Sequence, residues 1–470
     1  MIQPRSGATT VAVALLAAAA TAGAGAHGST QRYADPIVLS GADLGAFLGA
    51  PPDEISTWIW HHGAWSRVLS QVDERDAGGR YTAAEDDRLD DNDEWVVVLG
   101  DLGEAAPADA WPEGVGREHD RLEVTVTDPE DPAFAARYYL FWSATTPAGA
   151  PDAAVAWDPA AREVRTAEYT IGLADPDKDR FIGVKRLSLY GDAANLIDRL
   201  KIRGTLSALG FEQALTEESL IDALALLGQS PSFDPVIHGP LRVVLGADGG
   251  FAYANRFALF GGFGALSDLG GGALPVELKN ARLSLDWSVD ASGAVYTDPN
   301  LPAGVTVDGE PDAVPEAPVP AWREVAFASG RLALLSADVP ATSSARVYYK
   351  DDAAADASDT GDLRSFGDTG VTAPDLKTLI DTGFPGEAVV IPIGRQVTAA
   401  QLAANRRAPL VAEVAGGPVR PTAPPTTAPT QAATPTRTPT RAPVATGTPH
   451  RPVLWTSYYL PFAGVGWRRP

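Results

Sequence analysis

The chain has no cysteine among its 470 residues, which excludes disulfides, thiol catalysis and cysteine-ligated zinc. Its single methionine is Met1, so the rest of the chain has no easily oxidised sulfur. Basic charge is also short: 37 lysines and arginines face 60 carboxylates, for a net charge of −23. No carboxylate follows Glu413, whereas Arg420, Arg437, Arg441, Arg451, Arg468 and Arg469 do, so the body is more acidic than the whole. Such a body repels nucleic acid and anionic membranes, and no nucleic-acid partner is expected. Cations, neutral glycans and basic partners suit it. G-x-S-x-G, H-E-x-x-H and a phosphate-binding glycine loop are all missing, because Gly261-Gly-Phe-Gly264 lacks the strand and helix context such a loop needs. The catalytic residues are therefore unknown from sequence, and whether the chain is an enzyme stays open.

The ends differ from the middle. Arg5, the apolar run Val11 to Ala22 and Ala24-Gly25-Ala26 make a signal peptide over residues 1–26, with a mature chain starting near His27. The run is shorter than the roughly 20 residues a membrane helix needs, so no transmembrane helix is expected after cleavage. Residues 27–417 form the body, with a subdivision expected near 205–235. Residues 418–452 are rich in threonine and proline, the composition of a disordered, semi-rigid stalk. Residues 453–470 are an apolar tail with a basic end.

Short apolar segments separated by turns dominate the body. Pro36 to Leu39, Ser56 to Trp60, Trp65 to Val72, Trp95 to Leu99, Arg121 to Thr127, Arg137 to Trp142, Val164 to Ile171 and Ile182 to Tyr190 read as strands. So do Leu241 to Leu245, Phe251 to Phe260, Ala281 to Val289, Trp322 to Ala328, Arg331 to Ser336 and Ala345 to Tyr349. Trp95 to Leu99 is apolar throughout, which predicts burial on both faces. Thr216 to Leu227 predicts a helix with Thr216 as its cap, and Asp43 to Leu48, Pro374 to Ile380 and Thr398 to Asn405 are shorter helical candidates. The expected fold is mainly β: a large β-sandwich, one supersandwich-like or two packed sandwich domains, with one or two short helices.

The most unusual stretch lies between Asp73 and Trp95, where ten carboxylates accompany three arginines. It falls between two strand segments and reads as a long hairpin connection. Like charges in close contact repel by about 1 kcal/mol at ~4 Å even in water, so such a loop must be solvated, paired or cation-bound. Asp86, Asp87, Asp90, Asp91, Asp93 and Glu94 are candidate calcium ligands, oxygen donors on an irregular loop. The EF-hand spacing is absent, and a solvated acidic loop is the competing reading. Asp175-Pro-Asp-Lys-Asp179 opens like a calcium loop but has Arg186 at the twelfth position. A third acidic cluster comprises Asp351, Asp352, Asp356, Asp359, Asp362 and Asp368, and all three could converge at one end of a sandwich.

Trp58, Trp60, Tyr348 and Tyr349 are candidate ligand-contacting aromatics, since ring faces make sugar platforms, although strand tryptophans more often fill cores. His61-His62 sits in a turn, where an exposed role competes with metal or acid–base chemistry. The resulting expectation is an exported, surface-associated protein that binds an extracellular glycan or cell-envelope component. No cofactor is required beyond the candidate calcium. A glycoside hydrolase or polysaccharide lyase is the first alternative, and a structural envelope protein the second.

Two resemblances accompany these motifs. The Thr/Pro stalk followed by Tyr459-Leu460-Pro461 and a basic end resembles the tails of exported proteins of green non-sulfur bacteria, which implies sorting or surface attachment. The body resembles a group of uncharacterised secreted bacterial β-rich proteins. Its pattern is carried by Gly63-Ala64-Trp65, Gln71-Val72-Asp73-Glu74-Arg75 and Leu89-Asp90-Asp91-Asn92-Asp93-Glu94, then by Ile197 to Arg203, Val307 to Asp312 and Thr360-Gly361-Asp362. That resemblance implies one family unit and no particular chemistry.

Overall fold

A computed structural model describes residues 32–83, 87–145, 151–181, 183–208, 211–226, 235–245, 252–256, 258–261, 276–312, 314–336, 339–380, 382 and 386–416. The expected signal peptide, stalk and apolar tail lie outside the described residues. The protein is mainly β, and its strands form five antiparallel sheets with a few short helices. Among the described residues no helix is long and apolar enough to cross a membrane.

Four of the sheets stack in layers, and alternation along the strands shows why. The first layer joins Val411–Gly416, Leu122–Asp128, Asp131–Trp142, Ile55–His61 and Ala64–Arg67 in that order. The second has only Pro36–Ser40, Glu94–Val98 and Gln71–Asp73. Trp95 and Val97 of Glu94–Val98 point to the first layer, where they meet Val124, Val126 and Tyr138. Val96 and Val98 point the other way, onto Ala333, Leu335, Val389 and Ile391 of the third layer. The all-apolar run is thus buried on both faces, as its composition predicts.

The third layer is a nine-stranded sheet that includes Arg242–Leu245, Ala252–Asn255, Trp322–Ala326, Arg331–Leu335 and Gly386–Ile391. Its far face carries Val325, Leu332, Leu334 and Val390 into contact with Leu200, Ile202, Leu283, Leu285 and Val371. Those residues belong to the fourth layer, built from Phe211–Leu215, Ile197–Ala208, Val276–Trp287, Ser365–Asp375 and Arg346–Asp352. The remaining sheet, Val184–Leu189, Tyr169–Leu173, Glu163–Thr166 and Val155–Asp158, shares the same core.

Three predicted strands are pairs instead. Trp65 to Val72 divides into Ala64–Arg67 and Gln71–Asp73 because the chain changes from the first layer to the second between them. Val164 to Ile171 turns at Glu168, where Thr166 Oγ1 accepts from the backbone N–H of Glu168 (3.1 Å) and Tyr169 (2.9 Å). This local bond gives the backbone an alternative to the ladder. Phe251 to Phe260 is a hairpin of Ala252–Asn255 and Ala258–Gly261. The predicted helix is present as Glu217–Leu226, with Ser219 N donating to Thr216 Oγ1 at 3.2 Å. The Asp175 turn is a single helical turn, Pro176–Asp179, capped by Asp175.

The helix Ala399–Arg407 closes the stack through a buried charge chain. Arg406 pairs with Glu387 of the third layer and with Asp35 at 3.0 Å. Arg32 pairs with the same Asp35 (2.9 Å) and with Asp128 of the first layer (2.6 Å).

Candidate functional site

The acidic run folds back on itself as expected of a hairpin connection: Gln71, Val72 and Asp73 pair with Val96, Trp95 and Glu94. Its two recognisable segments meet each other. Asp93 accepts from the backbone N–H of Arg75 (3.0 Å) and Asp90 (2.6 Å), and the Asn92 side-chain amide donates to the carbonyls of Arg75 and Asp76. Between them they grip Arg242 of the third layer. Its guanidinium pairs with Asp73 and, at 2.5 Å, with Glu94, while Gln71 Oε1 accepts from Leu241 N and Arg242 N, both at 2.9 Å. Glu94 also takes Arg75 (2.9 Å) and the Tyr81 hydroxyl (3.0 Å). Burial pushes the Asp73 carboxyl up, and Arg242 pulls it back.

Of the candidate calcium ligands, Asp93 and Glu94 are therefore buried and engaged with protein donors, Asp87, Asp90 and Asp91 are exposed, and Asp86 lies outside the described residues. Among the described residues, three carboxylate or imidazole ligand atoms come within 4.8 Å of one another at His61, His62 and Glu104, and at Asp198, Asp286 and Asp362.

The second group belongs to a charge cluster on the outer face of the fourth layer. Alternation along Ile197–Ala208 sends Leu200 and Ile202 inward and Lys201 and Arg203 outward. The segment before Ser365 folds over them. Lys201 Nζ lies 2.7 Å from Asp286 and 2.8 Å from Asp359, and donates to the Arg364 carbonyl at 2.5 Å. Arg203 pairs with Asp359 (2.7 Å) and with Glu217 at the start of the helix Glu217–Leu226. Asp286 Oδ1 accepts from Phe366 N at 2.8 Å.

Asp368 is fully buried, and neither of its oxygens accepts a hydrogen bond from a described residue; the nearest cation is Arg282, 3.8 Å away and stacked on Tyr348. Burial, then the neighbouring Asp368, pushes Asp286 up to about 9. Burial opposes the charge on Asp359, but hydrogen bonds from Lys201 and Arg203 outweigh it and hold that carboxyl below the usual range. Three members of the third acidic cluster, Asp359, Asp362 and Asp368, are thus brought together, while Asp351 accepts backbone bonds from Asp308, Gly309 and Gly367.

The candidate aromatics are not brought together. Trp58 and Trp60 lie on the outer face of the first layer with Trp65, Trp111, Tyr139 and Phe141, and Trp58 is only 8% exposed. Tyr348 faces the outer charge cluster on the fourth layer, and Tyr349, its neighbour on the strand, packs toward the core beside Tyr296.

An open cleft of about 510 Å³ was not marked by any motif. Its walls come from three sheets: Arg67 to Leu69 with Asp101, then Ala154, Ala156, Arg165 and Ala167, then Arg256. Arg165 pairs with Glu163 (2.7 Å) and Asp158 (3.0 Å), and Arg256 with Glu168 (3.2 Å). Burial raises the Asp101 carboxyl, against the pull of Arg256. Arg67 and Arg165 lie in ordinary strands and Arg256 directly follows the strand Ala252–Asn255; the three are far apart in sequence, so only the fold assembles them.

No protein-family model matches the chain. No curated protein matches it either. Among solved structures it is similar to an alpha-mannosidase from Enterococcus faecalis V583, at TM-score 0.37 and 9% identity, over 83% of this chain and 45% of that one. The chain spans under half the length of that enzyme.

Proposed function

We propose that the protein is an exported, surface-associated β protein that binds a glycan in the cleft between Arg67, Arg165 and Arg256. The observation that carries this reading is the lining. Three guanidiniums, Arg67, Arg165 and Arg256, and two carboxylates, Asp101 and Asp152, share the lining with small apolar side chains, in a cleft of about 510 Å³. Sugar hydroxyls both donate and accept, and paired guanidinium and carboxylate groups offer both partners in fixed geometry. Pockets of roughly 300–1,000 Å³ at junctions between structural units are the usual sites for small ligands.

Affinity electrophoresis through gels containing polygalacturonate, xylan or dextran tests the reading. The wild-type protein is expected to be retarded by at least one of these polymers. Ala156→Trp, which fills the cleft from an exposed strand position without changing charge, is expected to abolish the retardation while leaving the melting temperature within about 2 °C. Equal retardation of the variant would overturn the assignment to this cleft. Release of reducing ends or unsaturated products would replace binding by catalysis. Export is checked by the mass of the secreted chain, expected to begin at His27.

A further inference from the structure

We propose that His61, His62 and Glu104 form a site for a divalent transition metal of the zinc type, on the edge of the first layer and separate from the cleft. The hairpin between Ile55–His61 and Ala64–Arg67 turns in two residues, His62 and Gly63, with His61 directly opposite Ala64. Both turn residues have positive φ, 50° and 82°, the geometry of a type I′ turn, for which asparagine or glycine is the favoured first residue. A histidine there accepts a left-handed backbone that another residue would adopt more easily, and it places two adjacent imidazoles on one side of the hairpin end. Their ring centroids are 3.8 Å apart.

Glu104 arrives from a different part of the chain and is fixed by its backbone. Its N–H donates to the Trp60 carbonyl at 2.8 Å, in an isolated antiparallel bridge. This sets Glu104 Oε1 3.5 Å from His61 Nδ1. One ligand atom from each of the three residues lies within 4.8 Å of the others. Two ligand atoms on one tetrahedral zinc ion are about 3.4 Å apart, given bonds of about 2.0–2.1 Å, a separation the His61–Glu104 pair already has and that rotation of the exposed His62 ring would complete. Two imidazoles and a carboxylate suit zinc and its neighbours better than calcium or magnesium, which take oxygen donors. The fourth position faces solvent and would hold water.

The carboxylate group Asp198, Asp286 and Asp362 is a poorer cation site, since Lys201 already places an ammonium 2.7 Å from Asp286. Among the described residues no lysine or arginine pairs with Glu104, which faces His61. The half-buried Trp60 and Trp65 pack next to the hairpin end, with ring centroids 5.3 Å apart, and supply a local fluorescence reporter.

The test is calorimetric titration of zinc chloride into the full chain, repeated with cobalt and read by visible absorbance. One site with Kd below about 10 μM and a four-coordinate cobalt spectrum are expected. His62→Asn keeps a residue suited to positive φ, so the hairpin is retained while a ligand is lost; affinity is expected to fall tenfold or more, as in Glu104→Gln. His119→Ala, remote in sequence and stacked on Trp142, is expected to bind as the wild type does. Absence of binding at 100 μM zinc, or unchanged affinity in a folded His62→Asn or Glu104→Gln, would overturn the site.

Discussion

Two buried charge clusters in this protein are built from similar residues and reach different ends. Around Arg242 each group has a counterpart: the guanidinium meets Asp73 and Glu94, Glu94 also meets Arg75 and Tyr81, and Gln71 closes the backbone of Leu241 and Arg242. Around Lys201 the count does not close. Asp286, Asp359 and Asp368 surround Lys201 and Arg203, and Asp368 accepts no hydrogen bond from a described residue. The first cluster ties the second layer to the third and is architecture. The second lies on an outer face and keeps the Asp368 carboxyl buried with no hydrogen bond from a described residue, which proteins tolerate only at a cost.

Removing the centre of the closed cluster should have the largest effect. Arg242→Met leaves Asp73 and Glu94 buried without their shared cation, and breaking a buried pair this way costs about 3–5 kcal/mol. Urea unfolding should show it as a lower midpoint. A loss under 1 kcal/mol would mean that the hairpin and the third layer are held by apolar contacts alone. Lys201→Met should cost less, on the order of 1–3 kcal/mol, because Asp359 keeps Arg203 and Asp286 keeps the backbone N–H of Phe366 when the ammonium goes. If the two substitutions cost the same, the distinction between the clusters fails.

The sequence made the central strand of the second layer readable because burial on both faces leaves an unbroken apolar run, Trp95 to Leu99, and it made the hairpin placement of the acidic run readable from the segments on either side. It also marked Gln71 to Arg75 and Leu89 to Glu94 as unusual, and these segments do bind each other. What it could not convey was their common partner, because Arg242 is 148 residues beyond Glu94. Strand Ser365–Asp375 escaped notice for a different reason. It reads SFGDTGVTAPD, rich in residues that disfavour strands, yet Gly370 is required there: a Cβ would sit 2.1 Å from the Leu283 carbonyl oxygen of the neighbouring strand. Close approach of backbones selected the glycine, and the resulting sequence no longer looks like a strand. The cleft arginines were illegible for the same kind of reason, since no spacing links residues from three sheets.

The smallest effect, and the sharpest contrast between the clusters, is expected at Asp368. An unfolded aspartate ionises near pH 3.9, whereas Asp286 in the folded protein is raised to about 9, by burial first and by Asp368 second. Between those two values the folded state binds more protons than the unfolded one, so stability falls as pH rises from about 4 to about 9. Asp359 works the other way: its folded value is depressed, so its contribution is present above about pH 4 and is lost only in acid. Measured from pH 5 to 9, Asp359 is therefore constant and Asp286 sets the slope of this cluster. Asp368→Asn removes the neighbouring charge and keeps the shape. At pH 7 it should be neutral or slightly stabilising, and the decline in melting temperature from pH 5 to 9 should become shallower than in the wild type. A parallel pair of melting curves across that range would show that burial alone, without Asp368, raises Asp286, and that the two clusters differ less than their hydrogen bonds suggest.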